Sequence, residues 1–174
     1  QSIIAALRKQ GHYLGAHSDR HLLYCSWENR DSLLVTKLEF QRDLLANYSE
    51  MRNYDIRAEE ARYFLPPYEW YNDSIAVWTN ELGFKLINFS QGTLSHADYT
   101  TPGMANYRSS DTIFESITTF ERNSSNGLNG FILLLHLGVD PRRTDKFYDR
   151  LGALIGYLQK RNYALVKIDA LLEE

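Results

Sequence analysis

The run "FILLLHLG" at residues 131–138 is apolar at almost every position. An extended segment of that kind has to be covered on both faces, as a parallel strand is when helices lie above and below it. The surrounding pattern fits that requirement, because helical and extended segments alternate along the chain. Helices are predicted in "SIIAALRKQ" before Gly11, "DSLLVTKLEFQRDLLANYSEMR", "NDSIAVWTNELG", "SDTIFESITTFERN", "TDKFYDRLGALIGYLQKRNY" and "DALLEE". Strands are predicted in "HYLGAHS", "ARYFLPPYEW", "FKLINFS", "FILLLHLG" and "ALVKI". In the second helix, Leu34, Leu38, Leu44, Leu45 and Tyr48 are expected near one apolar face. The reading is an α/β chain with parallel strands, organised as a single domain over residues 1–174.

Composition narrows the function more than the fold. A net charge of −3 and a pI near 6.0 give no basic footprint for nucleic acid or an anionic membrane. The longest apolar run is about half the ~20 residues that a membrane-spanning helix needs. Cys25 is the only cysteine, so an internal disulfide is impossible. Aromatic residues reach 13%, with 12 tyrosines, a composition suited both to core packing and to stacking on flat ligands. The chain opens on Gln1 within a helical pattern, and it reads as trimmed at that end.

Three constellations carry possible chemistry. The first is "HSDRH", with His17 and His21 four positions apart. On a strand such positions lie ~13 Å apart and cannot share one ion. On a helical turn they lie about 6 Å apart, which is chelating distance. A strand ends at Gly15–Ala16, and Ser18 and Asp19 favour a helical turn, so the pair is expected at the carboxyl end of a strand. The second is His136 in "ILLLHLG", which is either a bonded core histidine or a group in use. The third is "FLPPYEWYND", a stiff proline turn followed by Tyr68, Trp70 and Tyr71. It is either an aromatic-covered turn or a cleft wall presenting a backbone N–H to an oxyanion.

Taken in order, these residues resemble the polysaccharide deacetylase (NodB-homology) family of carbohydrate esterases. His17-Ser18-Asp19-Arg20-His21 matches the family's H-S-x-x-H. Leu65-Pro66-Pro67-Tyr68 matches R-x-P-[YF] with Leu65 in place of arginine, and Leu134-Leu135-His136 matches Leu-x-His. The resemblance implies a distorted (β/α) barrel that removes N- or O-acetyl groups from a carbohydrate with a divalent metal, usually zinc. It implies His17 and His21 as metal ligands, the Tyr68 backbone N–H in an oxyanion hole and His136 as general acid. Pro67, Trp70, Tyr71, Asp98 and Tyr99 would line the substrate, and family members are typically exported to meet polysaccharide.

Departures accompany the match. The family's Asp-Asp pair, source of its base and third metal ligand, occurs nowhere in the sequence. The pair and its strand are expected upstream of Gln1, leaving an incomplete barrel that pairs with that segment. Asp19 or Asp98 would be the substitute carboxylate, and Asp98-Tyr99 in "GTLSHADYTTPGMANY" stands where the family usually has Asp-Trp. Arg62 cannot replace the arginine lost at Leu65, because three residues along a strand reverse the face. The other readings are an inactive carbohydrate-binding relative and a metallohydrolase of a different amide.

Overall fold

The computed structural model describes residues 3–172 and is an α/β chain. It divides into two compact units. One runs through Asn88 and takes in the chain from Lys167 onward, and the other is Phe89–Val166.

The first unit is built around a parallel pairing. Strand β1 (Tyr63–Phe64) lies beside β2 (Lys85–Leu86), with Tyr63 opposite Lys85 and Phe64 opposite Leu86. On the other side of β1, Ala16 forms a parallel bridge with Phe64. The Leu65 N–H donates to the Ala16 carbonyl (3.1 Å) and the Ile87 N–H to the Phe64 carbonyl (2.9 Å). Because the segments run the same way, His17, Leu65 and Ile87 all leave from the carboxyl ends of their strands. Gly15 is required at this edge: a Cβ there would meet the Tyr63 carbonyl oxygen at 2.8 Å.

Helix α1 (Ile3–Lys9) leads into this edge, and α2 (Lys37–Arg52) covers the sheet. α2 begins six residues later than the start of its apolar pattern. Thr36 and Glu39 form a reciprocal capping box that fixes the first turn at Lys37. The preceding segment is extended instead, with Cys25 bridging antiparallel to Leu33. This start sets the helix phase: Phe40, Leu44, Tyr48 and Met51 are buried, while Leu34, Leu38 and Leu45 are exposed. The expected apolar face is therefore corrected to one led by aromatic residues. Phe40 packs edge-on against Tyr24 and Phe64, and Tyr48 stacks on Phe84 with ring centroids 4.1 Å apart. The Tyr48 hydroxyl donates to the Ala61 carbonyl (2.7 Å), so its polar end is satisfied inside the core. Helix α3 (Asp73–Glu81) starts on an Asn72 cap and ends at Gly83, whose φ of 84° suits the helix stop. The chain beyond Lys167 adds α6 (Ile168–Leu172) to this unit.

In the second unit, α4 (Ser110–Asn123) sets Ile113 and Ile117 in one core with Leu154 and Leu158 of α5 (Leu151–Lys160). A short 3-10 turn, Phe147–Arg150, forms the part of the predicted last long helix that precedes α5. The run expected to be the most buried strand differs. Residues 131–136 form no strand and are only half-buried, and Leu137 is 70% exposed. The contacts with Ser90 explain why no ladder forms. One bond runs from the Ser90 N–H to the Ile132 carbonyl (2.9 Å), and the return bond from the Ile132 N–H ends on the Ser90 hydroxyl (3.0 Å). "ALVKI" is likewise not a strand, and Leu165 and Val166 are more than half exposed.

Arg143, fully buried, organises the loop before α4. Its guanidinium donates to the carbonyls of Thr100 (2.7 Å), Arg108 (3.0 Å) and Asp145 (3.0 Å) and to the Ser110 hydroxyl (3.2 Å). The Asp145 carboxylate lies 3.5 Å away and also accepts from the Tyr107 hydroxyl and the Ser110 N–H. Replacing Arg143 with methionine strands these acceptors and should cost on the order of 3 kcal/mol in urea unfolding. Thr36→Ala, which removes one half of the α2 capping box, should cost about 1 kcal/mol. A larger loss for Thr36→Ala than for Arg143→Met would contradict this ranking.

Candidate functional site

In the first unit the H-S-x-x-H segment is a tight turn but not a helix. Ser18 (φ 76°) and His21 (φ 53°) are left-handed, and the His21 N–H donates to the Ser18 hydroxyl at 2.8 Å. The turn brings the two imidazoles together by this route, with ring centroids 5.1 Å apart and planes at 66°. Asp43, buried on α2, holds the turn from beneath. It accepts from the Arg20 N–H (2.9 Å), the Arg20 guanidinium (3.3 Å) and the Tyr24 hydroxyl (2.7 Å). Burial, reinforced by Asp43, pushes the Tyr24 hydroxyl far above the ordinary tyrosine range and keeps it a donor.

His17 is fixed by backbone. Its N–H donates to the Asn47 side-chain oxygen (3.0 Å), and its Nδ1 lies 2.8 Å from the Leu65 carbonyl. A carbonyl only accepts, so Nδ1 carries the proton, and in the neutral form of the ring the lone pair lies at Nε2. This is how metal-ligating histidines are commonly oriented. Leu65, standing where the resemblance calls for arginine, takes part through its main chain. Arg62 lines a separate charged cleft with Tyr13, Glu60, Lys85 and Asp169, as its strand position predicts.

The proline turn supplies the next ring. Pro66 and buried Pro67 lead into Tyr68 (φ 59°) and Glu69 (φ 54°), again left-handed. Four of the six non-glycine residues with positive φ among the described residues therefore lie in these two turns. Backbone strain concentrated in this way is usual where a site is pre-shaped. Asn88 steadies the turn by donating its side-chain amide to the Glu69 carbonyl (2.9 Å). The Tyr68 ring meets His21 edge-on at 4.5 Å. Trp70 and Tyr71 are half-buried, with the Trp70 indole N–H donating to the Ser26 carbonyl (3.1 Å).

The metal expectation can be tested on donors. Two imidazoles at this separation, one with its tautomer set, fit as a pair of ligands for a zinc-type ion. Among the described residues no group of three His, Cys, Asp or Glu side chains is placed to hold an ion, so neither Asp19 nor Asp98 completes the set. Cys25 is buried and burial pushes its thiol pKa up, so it offers no reactive thiolate.

The second unit holds the other predicted residues. His136 Nδ1 donates to one Asp98 oxygen (2.6 Å) and the His136 N–H to the other (2.6 Å). Asp98 is 1% exposed while the His136 side chain is 33% exposed, so a buried carboxylate holds a partly accessible imidazole. Asp98, expected as a substrate contact or metal carboxylate, thus has both oxygens turned to His136. Tyr99, 44% exposed, meets the His136 ring edge-on at 5.5 Å. His96, in the same 3-10 turn (Ser95–Tyr99), stacks on Phe89 at 4.8 Å, and its Nδ1 is buried without a hydrogen-bond partner. Sequence reasoning did not single out Asp43, Arg143, His96 or Trp27.

The sequence matches no protein-family model and no curated protein. Its fold does match solved structures. A family 4 carbohydrate esterase (CE4) pseudoenzyme from Bacillus anthracis aligns at TM-score 0.69 and 16% identity, over 98% of this chain and 50% of that one. The Bc1960 peptidoglycan N-acetylglucosamine deacetylase aligns at TM-score 0.68 and 17% identity, over 97% of this chain and 67% of that one. A family 4 carbohydrate esterase from Streptomyces lividans aligns at 0.61 and 13%, over 91% and 66%. The fold is that of the CE4 carbohydrate esterases, and the chain spans about half the length of the first of these structures.

Burial, with a contribution from the nearby His136, lowers the His96 pKa, and Asp98 opposes this only in part. A histidine whose folded pKa lies below its unfolded value binds protons less readily when folded. Stability should therefore be unaffected by His96 above the ordinary histidine pKa and fall as pH drops below it. Melting temperatures of wild type and His96→Phe, measured from pH 7.5 down to 5.0, should show a shallower acid decline in the variant. Parallel declines would assign the acid sensitivity elsewhere.

Proposed function

We propose that the chain is part of a divergent polysaccharide deacetylase, a secreted or cell-envelope hydrolase removing N- or O-acetyl groups from a glycan. The supporting observation is the His17–His21 pair, 5.1 Å apart at the carboxyl end of a parallel strand, with Nδ1 of His17 held by the Leu65 carbonyl. The architecture we propose for the whole catalytic domain is the distorted (β/α) barrel. One neighbour is named a peptidoglycan N-acetylglucosamine deacetylase, which supports an acetylated glycan as the substrate class.

In this reading His17 and His21 hold a divalent cation, zinc by the nature of the donors. When bound, such an ion polarises an acyl carbonyl and lowers the pKa of water. The remaining ligand and the base are carboxylates that no described group beside the two histidines provides. The chain's own contributions follow from geometry. The Leu65 carbonyl and Asn47 keep His17 in one tautomer and one place. In this reading the main-chain N–H at left-handed Tyr68 serves as an oxyanion donor, without a side chain's mobility. Asp98 keeps the His136 proton on Nδ1, so exchange with the departing amine or alkoxide falls to Nε2.

A second reading, a glycan-binding relative without catalysis, draws on the absence of a three-donor group among the described residues and on the pseudoenzyme neighbour. Metal titration and acetate release from N-acetylglucosamine oligomers separate the two. Under the first reading the deacetylase of which the chain is part binds zinc, His17→Ala or His21→Ala weakens binding roughly hundredfold or more, and Asp98→Asn slows acetate release ~10²- to 10⁴-fold with zinc still bound. Oligomer binding without zinc binding or acetate release would favour the second reading. Neither binding nor turnover would discard both.

A further inference from the structure

We infer that Trp27 is a sugar-stacking residue that holds the pyranose ring next to the one bearing the reactive acetyl group. This rests on the carbohydrate reading above and specifies a subsite for it.

Trp27 is 57% exposed and stands at the end of a continuous line of rings. Its ring centroid is 5.6 Å from Tyr68 at 77°, and Tyr68 in turn is 4.5 Å from His21. Those two steps separate Trp27 from the histidine pair by a span suited to neighbouring residues of one glycan chain. The indole is also supported from behind, with Trp70 tilted against it at 5.4 Å. Trp70 is itself locked, because its N–H is bonded to the Ser26 carbonyl and Arg30 lies over its ring at 4.2 Å. The loop presenting Trp27 is tied internally: the Ser26 hydroxyl accepts from the N–H groups of Glu28 (3.1 Å) and Asn29 (3.4 Å), and the Ser26 N–H donates to the Ser32 carbonyl (2.9 Å). An exposed large aromatic alone needs no explanation. One braced on a second indole, cornered by an exposed tyrosine (45%) and adjoining a histidine pair, is a preformed platform.

The loop's chemistry favours a neutral ligand on the indole. Glu28 and Asp31 lie one and four residues beyond Trp27 in the chain, and Arg30 is turned to the supporting layer, its Nε–H donating to the Tyr71 carbonyl at 2.6 Å and its plane lying over Trp70. A pyranose is neutral, has a flat C–H face for the indole, and offers hydroxyls to polar groups around the rim.

The test is calorimetric titration of the chain with the tetrasaccharide of N-acetylglucosamine, using wild type, Trp27→Ala and Trp27→Phe. We expect Trp27→Ala to weaken binding about tenfold and Trp27→Phe to retain most of the affinity. The indole N–H resonance that disappears in Trp27→Phe should also shift when wild type is titrated, which decides the matter if Trp27→Ala does not fold. Wild-type affinity in Trp27→Ala, or an unmoved Trp27 resonance while the sugar binds, overturns the subsite and leaves the carbohydrate reading intact. Failure of wild type to bind the tetrasaccharide removes both. Tighter binding of AMP than of the tetrasaccharide also overturns the assignment.

Discussion

The parallel bridge between Ala16 and Phe64 is the contact on which the histidine pair depends. The bond from the Leu65 N–H to the Ala16 carbonyl fixes the register of two chain segments whose next residues are His17 and Leu65 itself. With that register set, the Leu65 carbonyl falls 2.8 Å from His17 Nδ1. A slip of one residue would turn every side chain of the segment to the other face and separate this pair. Gly15 permits the close approach, since any Cβ there would strike the Tyr63 carbonyl oxygen. Sheet register and imidazole tautomer are thus set by the same few backbone groups.

This dependence explains what was legible in the sequence. The proximity of His17 and His21 and the alternation of helices and extended segments follow from local spacing and side-chain chemistry. The local form of the histidine turn did not, because left-handed Ser18 and His21 are held from outside the segment, by Asp43 on α2 through its bonds to Arg20, 23 residues away, and Tyr24, 19 residues away. An aspartate within a helical pattern reads as a solvated face, and only the fold reveals it as buried. Arg143 is a parallel case: its partners are chiefly carbonyls, which every residue has. The strand expected at residues 131–138 failed for a related reason. Apolar composition says what a segment tolerates around it, whereas a ladder needs backbone partners, and here a serine hydroxyl takes one of those places.

The departures from the deacetylase pattern are unequal in consequence. Loss of the arginine at Leu65 removes a side chain but not the carbonyl that orients His17, so the histidine pair survives the change. Tyr99 in place of tryptophan keeps an aromatic ring against His136, and Asp98 keeps the carboxylate beneath it. The absent aspartate pair is different, because no described group substitutes for its donors. Under the proposed reading the residues that would orient ligands are in place, while no described group fills the part of the carboxylates that would complete ion binding and act as base.

Strain bears on whether these orienting residues are relics. Left-handed non-glycine residues cost of the order of 1 kcal/mol each, and Ser18, His21, Tyr68 and Glu69 are four of them in two adjacent turns. Each turn is held by dedicated bonds: Ser18 to the His21 N–H, Asp43 to Arg20, Asn88 to the Glu69 carbonyl. Glycine at any of these positions would relieve the cost without altering the trace, yet none is glycine. Where the side chain is His21 or Tyr68 the fold retains both the strain and a ring, and the two rings are in contact at 4.5 Å. A glycan-binding surface could use the tyrosine, but it has no need of a histidine held in a strained turn beside a second one with a fixed tautomer. A strained turn that keeps its histidine is what the proposed reading, a ligand pair for an ion, requires.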